Sequence, residues 1–405
     1  MIDNLEKLKQ ELETFNGNIN VHDLPDIFHY WSNKHLKPMF EEHGFTHPDD
    51  IYVKYMLDSV FLCNADSPIF LSIGSGNCDT EVRIAKHLKA NGLEKFCIEC
   101  LELNQSMLNR GRELATKEDM INYMSFTQVD LNKWKSSNEY TSVIANQSLH
   151  HIQNLEDVFG EIKKSLHEYG AFITSDMIGR NGHQRWPEAL LALHEFWKKL
   201  PESHKYNHQL KRHEEMYENW DCSTEGFEGI RAQDILPLLI KNFDFHLFIA
   251  FSNVIDVFVD RNFGPNFDPT NKWDTDFIDA VHQFDEESIR NGLIKPTNMM
   301  AVMRKYPANN LDYSRGYSPE YCVRNPLALI DRIEVLRIAL AERDREFAKR
   351  DKEIAELKDA LMATLDQKAK EQDLIFASHS WRITAPLRRI SGSLREFWNR
   401  LPRSD

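Results

Sequence analysis

Ile69-Phe-Leu-Ser-Ile-Gly-Ser-Gly-Asn-Cys-Asp-Thr-Glu81, followed by Cys100-Leu-Glu-Leu-Asn104, is the stretch that decides the fold of this chain. The run from Ile69 to Ile73 is apolar but for one serine, as a strand buried on both faces requires. Gly74-Ser75-Gly76 then ends it in a tight turn, and a helix opens near Asp79. A second strand ends at Glu102, 26 residues beyond Gly76. A glycine turn lets backbone N–H groups approach a ligand, and a carboxylate at the end of the next strand can accept hydrogen bonds from a ribose diol. Gly74, Ser75, Gly76, Glu102 and its neighbour Leu103 therefore predict a site for an adenosine-containing cofactor.

Strand and helix periods alternate outward from this stretch. Strands are expected near 69–73, 96–102, 125–129, 141–146 and 170–176, with helices near 79–90, 105–116 and 154–167. Later strand signals fall at Phe243–Phe251 and Asn298–Arg304. Alternation of this kind implies an α/β fold, a doubly wound parallel sheet. Residues 1–66 read as helical, through Leu5, Leu8 and Leu12, then Ile27 to Phe40 and Ile51 to Leu62.

The turn itself narrows the cofactor. A dinucleotide fingerprint places a third glycine where the helix passes the pyrophosphate, whereas here Asn77, Cys78 and Asp79 follow Gly76 and no glycine precedes Gly92. Asp79 and Glu81 in the first helical turn would repel an anion. A cationic cofactor meets no such conflict. At these residues the chain resembles the class I S-adenosylmethionine-dependent methyltransferases. The resemblance implies a Rossmann-like seven-stranded sheet, residues 67–306, under an N-terminal helical cap, with S-adenosylmethionine as cofactor. It also implies that Asp130 and Leu131, in Val129-Asp-Leu131, face the adenine edge. Ser142-Val-Ile-Ala-Asn-Gln-Ser-Leu-His-His151 is similar to the family's fourth strand and the loop facing substrate, which puts Asn146 and Gln147 beside the cofactor. One position departs: many members carry an acid two residues before the first glycine, and this chain has Ser72.

Methyl transfer to a hydroxyl needs orientation of the two partners and removal of a proton. Candidate bases follow the strand ends that face the cofactor: His150 and His151 after the fourth strand, Asp176 at the end of the fifth, then His183 and Glu188 in Gly179-Arg-Asn-Gly-His-Gln-Arg-Trp-Pro-Glu188. Packing or capping is an equal reading for each histidine. Asn181, Gln184, Arg185 and Trp186 are residue types that bind sugars. Two insertions, about 177–233 and 253–297, fall where such sheets build substrate pockets. No metal cluster stands out, since Asp221, Glu225, Glu228, Asp256, Asp260 and Asp268 show no ligand spacing, and a metal-assisted O-methyltransferase stays an open alternative. Cys97 and Cys100 lie inside one strand with no second pair, so they read as structural.

Acids outnumber bases by 63 to 49, a formal charge of −14, which argues against nucleic acid as a partner because phosphate neutralisation supplies most of such affinity. No apolar run approaches the ~18 residues of a membrane span, and the first residues lack the pattern of a secretory signal. A cytoplasmic location is expected.

Residues 307–326 read as a linker, and the chain then changes character. Ile333, Leu340, Phe347, Ile354, Leu361, Lys368 and Ile375 occupy the a positions of a heptad register, six of the seven apolar. A coiled coil over 327–376 is expected, dimer or trimer, with a solvated single helix as the alternative that Arg343 and Arg350 at d favour. From Trp381 to Asp405 six arginines face two acids, and Leu387, Ile390, Leu394, Phe397, Trp398 and Leu401 share one helical face. Such a tail, residues 377–405, suits an anionic membrane surface or a partner protein. Ala377-Ser-His-Ser-Trp-Arg-Ile-Thr-Ala-Pro-Leu-Arg388 resembles an element of bacterial surface-polysaccharide enzymes, glycosyltransferases among them. The whole order resembles the chain-terminating methyltransferases of lipopolysaccharide O-antigen synthesis. That resemblance implies O-methylation of a glycan or lipid-linked glycan, a polymerase or glycosyltransferase partner, and docking at the cytoplasmic face of the inner membrane. A methyltransferase of small metabolites and a scaffold with a degenerate domain are the alternatives.

Overall fold

The apolar run Ile69–Ile73 forms β1, in the middle of an eight-stranded sheet. The computed structural model describes residues 24–224, 226–308, 311–384 and 386–392. The succeeding strands are β2 (Cys97–Glu102), β3 (Met124–Gln128), β4 (Tyr140–Asn146) and β5 (Leu166–Met177). A two-stranded hairpin, β6 (Tyr206–Asn207) and β7 (Arg212–His213), stands apart in the first insertion. The sheet resumes with β8 (Asp244–Phe251), β9 (Asn298–Arg304) and the two-residue β10 (Asp312–Tyr313).

Across the sheet the order is β3-β2-β1-β4-β5-β9-β8-β10. Strands β1 to β5 are mutually parallel. β9 runs antiparallel to both neighbours, β5 and β8. The sheet is thus mixed rather than wholly parallel and has an eighth strand at its edge. Periodicity reports where a strand lies, not which way it runs, and a two-residue strand leaves no period to read. In β4 every residue from Tyr140 to Ala145 is buried, because helices cover both faces of a sheet whose connections cross over.

Those helices span Asp79–Ala90, Gln105–Lys117, Leu155–Ser165 and Ala232–Asn242. Gly111 in the second of them has no side chain for a packing reason: a Cβ there would lie 2.8 Å from the Cys78 sulfur. The N-terminal cap consists of Asp26–Trp31, a π-helical turn at Ser32–Leu36, Lys37–Glu41 and the long helix Pro48–Cys63. The last begins in a capping box, in which His47 Nδ1 accepts from Asp49 N and the Asp50 carboxylate accepts from His47 N. Its Ile51, Tyr52 and Met56 are buried, and the Tyr52 hydroxyl donates to Asn146 Oδ1 at 3.2 Å. The cap is thereby tied to the end of β4. Leu5, Leu8 and Leu12 lie outside the described residues.

Residues 311–324 are not a linker. They add β10 to the sheet, bury Tyr317 and Cys322, and form the short helix Pro319–Cys322, so the first compact unit runs through Arg324. Proline, serine and glycine there read as a spacer, but the aromatic residues between them anchor the segment.

The second unit, Asn325–Asp405, contains one continuous helix, Pro326–Ala377, of 52 residues, about 78 Å at ~1.5 Å per residue. Phe347, Ile354, Leu357, Leu361 and Ile375 on it are exposed. A short helix follows at His379–Ile383, where Trp381 meets Phe376 edge to face and carries the Arg388 guanidinium over its ring. Leu394, Phe397, Trp398 and Leu401 lie outside the described residues. Among the described residues no helix is long and apolar enough to cross a membrane.

Candidate active site

The glycine turn after β1 is held by β2. Gly74 N and Ser75 N both donate to Leu101 O, at 2.8 and 3.1 Å, and Gly76 N donates to Glu102 Oε2 at 3.0 Å. These N–H groups are therefore engaged within the protein, contrary to the expectation that they face a ligand. What the turn offers instead is absence of bulk. Gly74 has φ +63°, and a Cβ there would lie 2.6 Å from Ser148 Cβ. Glu102 also accepts from Asn104 N through Oε1 at 2.9 Å. Two of the roughly four lone-pair sites of a carboxylate are so occupied, and the partly exposed group keeps acceptors for a diol. Leu103 beside it is partly exposed.

Asp130 ends the loop after β3, where Oδ1 accepts from Asn132 N and opens the turn Leu131–Lys133. Asn146 closes β4 and bridges Tyr52 and Thr80. Gln147 follows with φ +52° and an N–H to Ser175 O. All these groups follow the carboxyl ends of neighbouring parallel strands, the edge at which open α/β sheets bind ligands.

Ser72 is compensated from the next helix. Its hydroxyl donates to Glu81 Oε1 at 2.6 Å, and burial raises this enclosed carboxyl to about 7. Glu81 shares its helix face with Ile84, Ala85 and Leu88, all buried, so an acid on an apolar stripe was the readable sign of it.

The histidines form a second cluster at the same edge. Asp176, fully buried at the end of β5, accepts from Ser148 N at 3.0 Å, from Leu149 N at 2.7 Å and from His150 Nδ1 at 2.7 Å. His150 Nε2 lies 3.3 Å from Glu228 Oε1, His183 Nε2 lies 2.6 Å from that same oxygen, and His151 Nε2 lies 3.5 Å from Glu228 Oε2. Burial alone would favour neutral His150, but the Asp176 charge and hydrogen bonds to Asp176 and Glu228 outweigh it and raise the imidazole to about 10. Burial likewise opposes the charge of Glu228, yet the surrounding histidines hold its carboxyl well below the usual range. A protonated imidazole and an ionised carboxylate thus stand side by side as an ion pair, with the His151 and His183 rings beside the same carboxylate.

Residues 66–236 match the model of a family described as a methyltransferase domain. This segment is a methyltransferase domain. It uses S-adenosylmethionine, as that family does. No curated protein sequence matches the chain. Among solved structures, a geranyl diphosphate methyltransferase in complex with GPP and sinefungin is similar at 13% identity and TM-score 0.36, over 62% of this chain and 78% of that one. The geranyl diphosphate C-methyltransferase of Streptomyces coelicolor A3(2) gives 12% and 0.35 over the same shares. A putative sarcosine dimethylglycine methyltransferase from Galdieria sulphuraria gives 13% and 0.35, over 65% and 86%.

The methyltransferase domain brings four of the five proposed acid–base residues together: His150, His151, Asp176 and His183. Glu188 is engaged elsewhere, bonded to Arg324 at 2.7 and 3.1 Å beneath a guanidinium stacked on Trp186. Most of the polar groups thought suited to sugar also serve the fold. Arg185 is buried, donates to His183 O and faces Asp256; Gln184 donates to Asn219 O; Asn181 accepts from Gln233 N. Glu228, set aside as a scattered acid, is the residue on which the cluster converges. Its chain distance of 45 residues from His183 hid it.

For the cofactor pocket, Gly74→Ala is the sharpest steric test. A left-handed φ strains any L side chain and the added methyl overlaps Ser148, so stability should fall by about 1–3 kcal/mol with S-adenosylmethionine affinity falling alongside. Thermal unfolding and calorimetry on the same preparation check both.

Proposed function

We propose that the protein is an O-methyltransferase acting on a sugar hydroxyl of a bacterial surface polysaccharide, ending or limiting chain growth of an O-antigen type glycan. The observation that carries the reading is the cluster of His151, His183 and Glu228, partly exposed at the edge where the cofactor residues lie. Bound S-adenosylmethionine supplies an electrophilic methyl on sulfonium. As the acceptor oxygen forms its bond to that carbon, the carbon–sulfur bond breaks, its electron pair leaves with sulfur, and the hydroxyl proton passes to the cluster.

The polymeric substrate is supported by the order of parts: a methyltransferase domain, a 52-residue helix with exposed apolar heptad positions, and an arginine-rich end. On this reading the helix self-associates as a dimer or trimer, and the tail docks at the cytoplasmic face of the inner membrane beside a glycosyltransferase. Incubation of the full chain with methyl-labelled S-adenosylmethionine should transfer label to purified lipopolysaccharide glycan. Label confined to small metabolites would replace the substrate class, and absence of cofactor binding would leave a scaffold. Sedimentation of the full chain reads the oligomer.

A further inference from the structure

We infer that the methyltransferase domain holds a divalent transition-metal ion between His150 Nε2, His183 Nε2 and a Glu228 carboxylate oxygen. The inference rests on the O-methyl reading for its purpose, though not for its geometry. One ligand atom from each of the three residues lies within 4.8 Å of the others. Two imidazoles and a carboxylate are a donor set for zinc, iron or manganese, with coordination positions left for solvent or substrate.

Three further observations favour a built site. First, Asp176 takes the Nδ1 proton of His150 at 2.7 Å, which orients the ring with Nε2 toward the other ligands. This is the outer carboxylate that metal-binding histidines commonly have. Second, the ligand-bearing segments are laced together beside the ligands. Gly182 N donates to Gly229 O at 2.9 Å, and Ile230 N donates to His150 O at 3.1 Å. Third, the approach of the two outer segments needs two glycines. A Cβ on Gly229 would lie 3.1 Å from His183 N and Cε1, and one on Gly182 would overlap the Asp221 carboxylate. His183 itself lies in the left-handed region, φ +53°, which histidine enters more readily than most residues.

The spacing suits an ion. Ligand atoms ~2.05 Å from a tetrahedral metal stand about 3.3 Å apart, the separation of His150 Nε2 from Glu228 Oε1. The closer pair, His183 and Glu228 at 2.6 Å, must open by under about 1 Å, while the ion displaces the proton on His150 Nε2. Asp176 and Glu228 place two carboxylates around these rings, a field that favours added positive charge. An ion there would bind the acceptor hydroxyl and polarise it toward attack on the methyl carbon.

Cobalt(II) titrated into the full-length protein tests this directly, because its visible absorption reports nitrogen and oxygen coordination without any methyl transfer. One equivalent should bind. His183→Asn, which suits the left-handed backbone, and Glu228→Gln should each weaken binding at least tenfold, with circular dichroism unchanged. If Glu228→Gln fails to fold, His183→Asn decides alone. A silent spectrum in the parent protein, or affinity unchanged in the folded variants, overturns the site. Methylation of a non-hydroxyl acceptor by a protein that binds cobalt would instead overturn the O-methyl reading.

Discussion

Glu102→Ala should lower S-adenosylmethionine affinity by about two orders of magnitude, close to 2.7 kcal/mol, in a calorimetric titration. The carboxylate at the end of β2 has two acceptor sites committed to Gly76 N and Asn104 N, and its remaining sites are those a ribose diol would use. Hydrogen bonds to a charged group contribute roughly 1.5–3 kcal/mol each, so loss of two is enough for the expected effect. The alanine also releases Gly76 from the carboxylate and loosens the turn. Glu102→Gln separates the two contributions, since it keeps one acceptor and should lose only about tenfold, ~1.4 kcal/mol. Near-parental affinity in both variants would show that the ribose is held elsewhere.

Removing the Asp176 carboxylate has the largest effect expected on stability. It is fully buried and accepts Ser148 N, Leu149 N and His150 Nδ1. Asp176→Ala leaves three backbone donors, Met177 N being the third, and His150 Nδ1 without their acceptor, a change costing about 3–5 kcal/mol. The melting temperature should fall by on the order of 10 °C, at roughly 2–4 °C per kcal/mol for a domain of this size. Methyl transfer should fall with it. Asp176→Asn tells structure from chemistry: its amide oxygen can still accept the N–H groups of Ser148 and Leu149, but its NH2 can only donate to Nδ1 and so forces the other tautomer of His150. That variant should recover much of the stability while transfer stays low. Full activity in Asp176→Asn would mean that His150 needs no orienting anion.

What could be read from the chain follows from what is local in it. β1, its turn and the helix from Asp79 are specified within about twenty residues, and there period and glycine placement agree with the structure. Helix and strand positions through Met177 were legible for the same reason. The reversal of β9 was not, because it is imposed by the pairing of Phe172 with Met303 and of Phe248 with Ala301, contacts between segments far apart in sequence. The same limit explains the site. His150, His151 and Asp176 were visible because they end adjacent strands, whereas Glu228 reaches them from a turn with no strand or motif of its own. Glu188 sat in the right segment, yet its pairing with Arg324 depends on a residue 136 positions away.

The reversed strand has an evolutionary consequence. Phe251, the last residue of β8, is directly paired with Asn298, the first of β9, so the intervening stretch leaves and re-enters the sheet at one rung of the ladder. A detour whose two ends are already neighbours can be lengthened, shortened or exchanged without shifting the register of any strand, and the closure entropy grows only slowly with its length. Residues 252–297 can thus change in length at the carboxyl end of β8 without shifting a strand, so long as the core side chains they supply, Ile255, Phe258, Ile278 and Val281 among them, are kept.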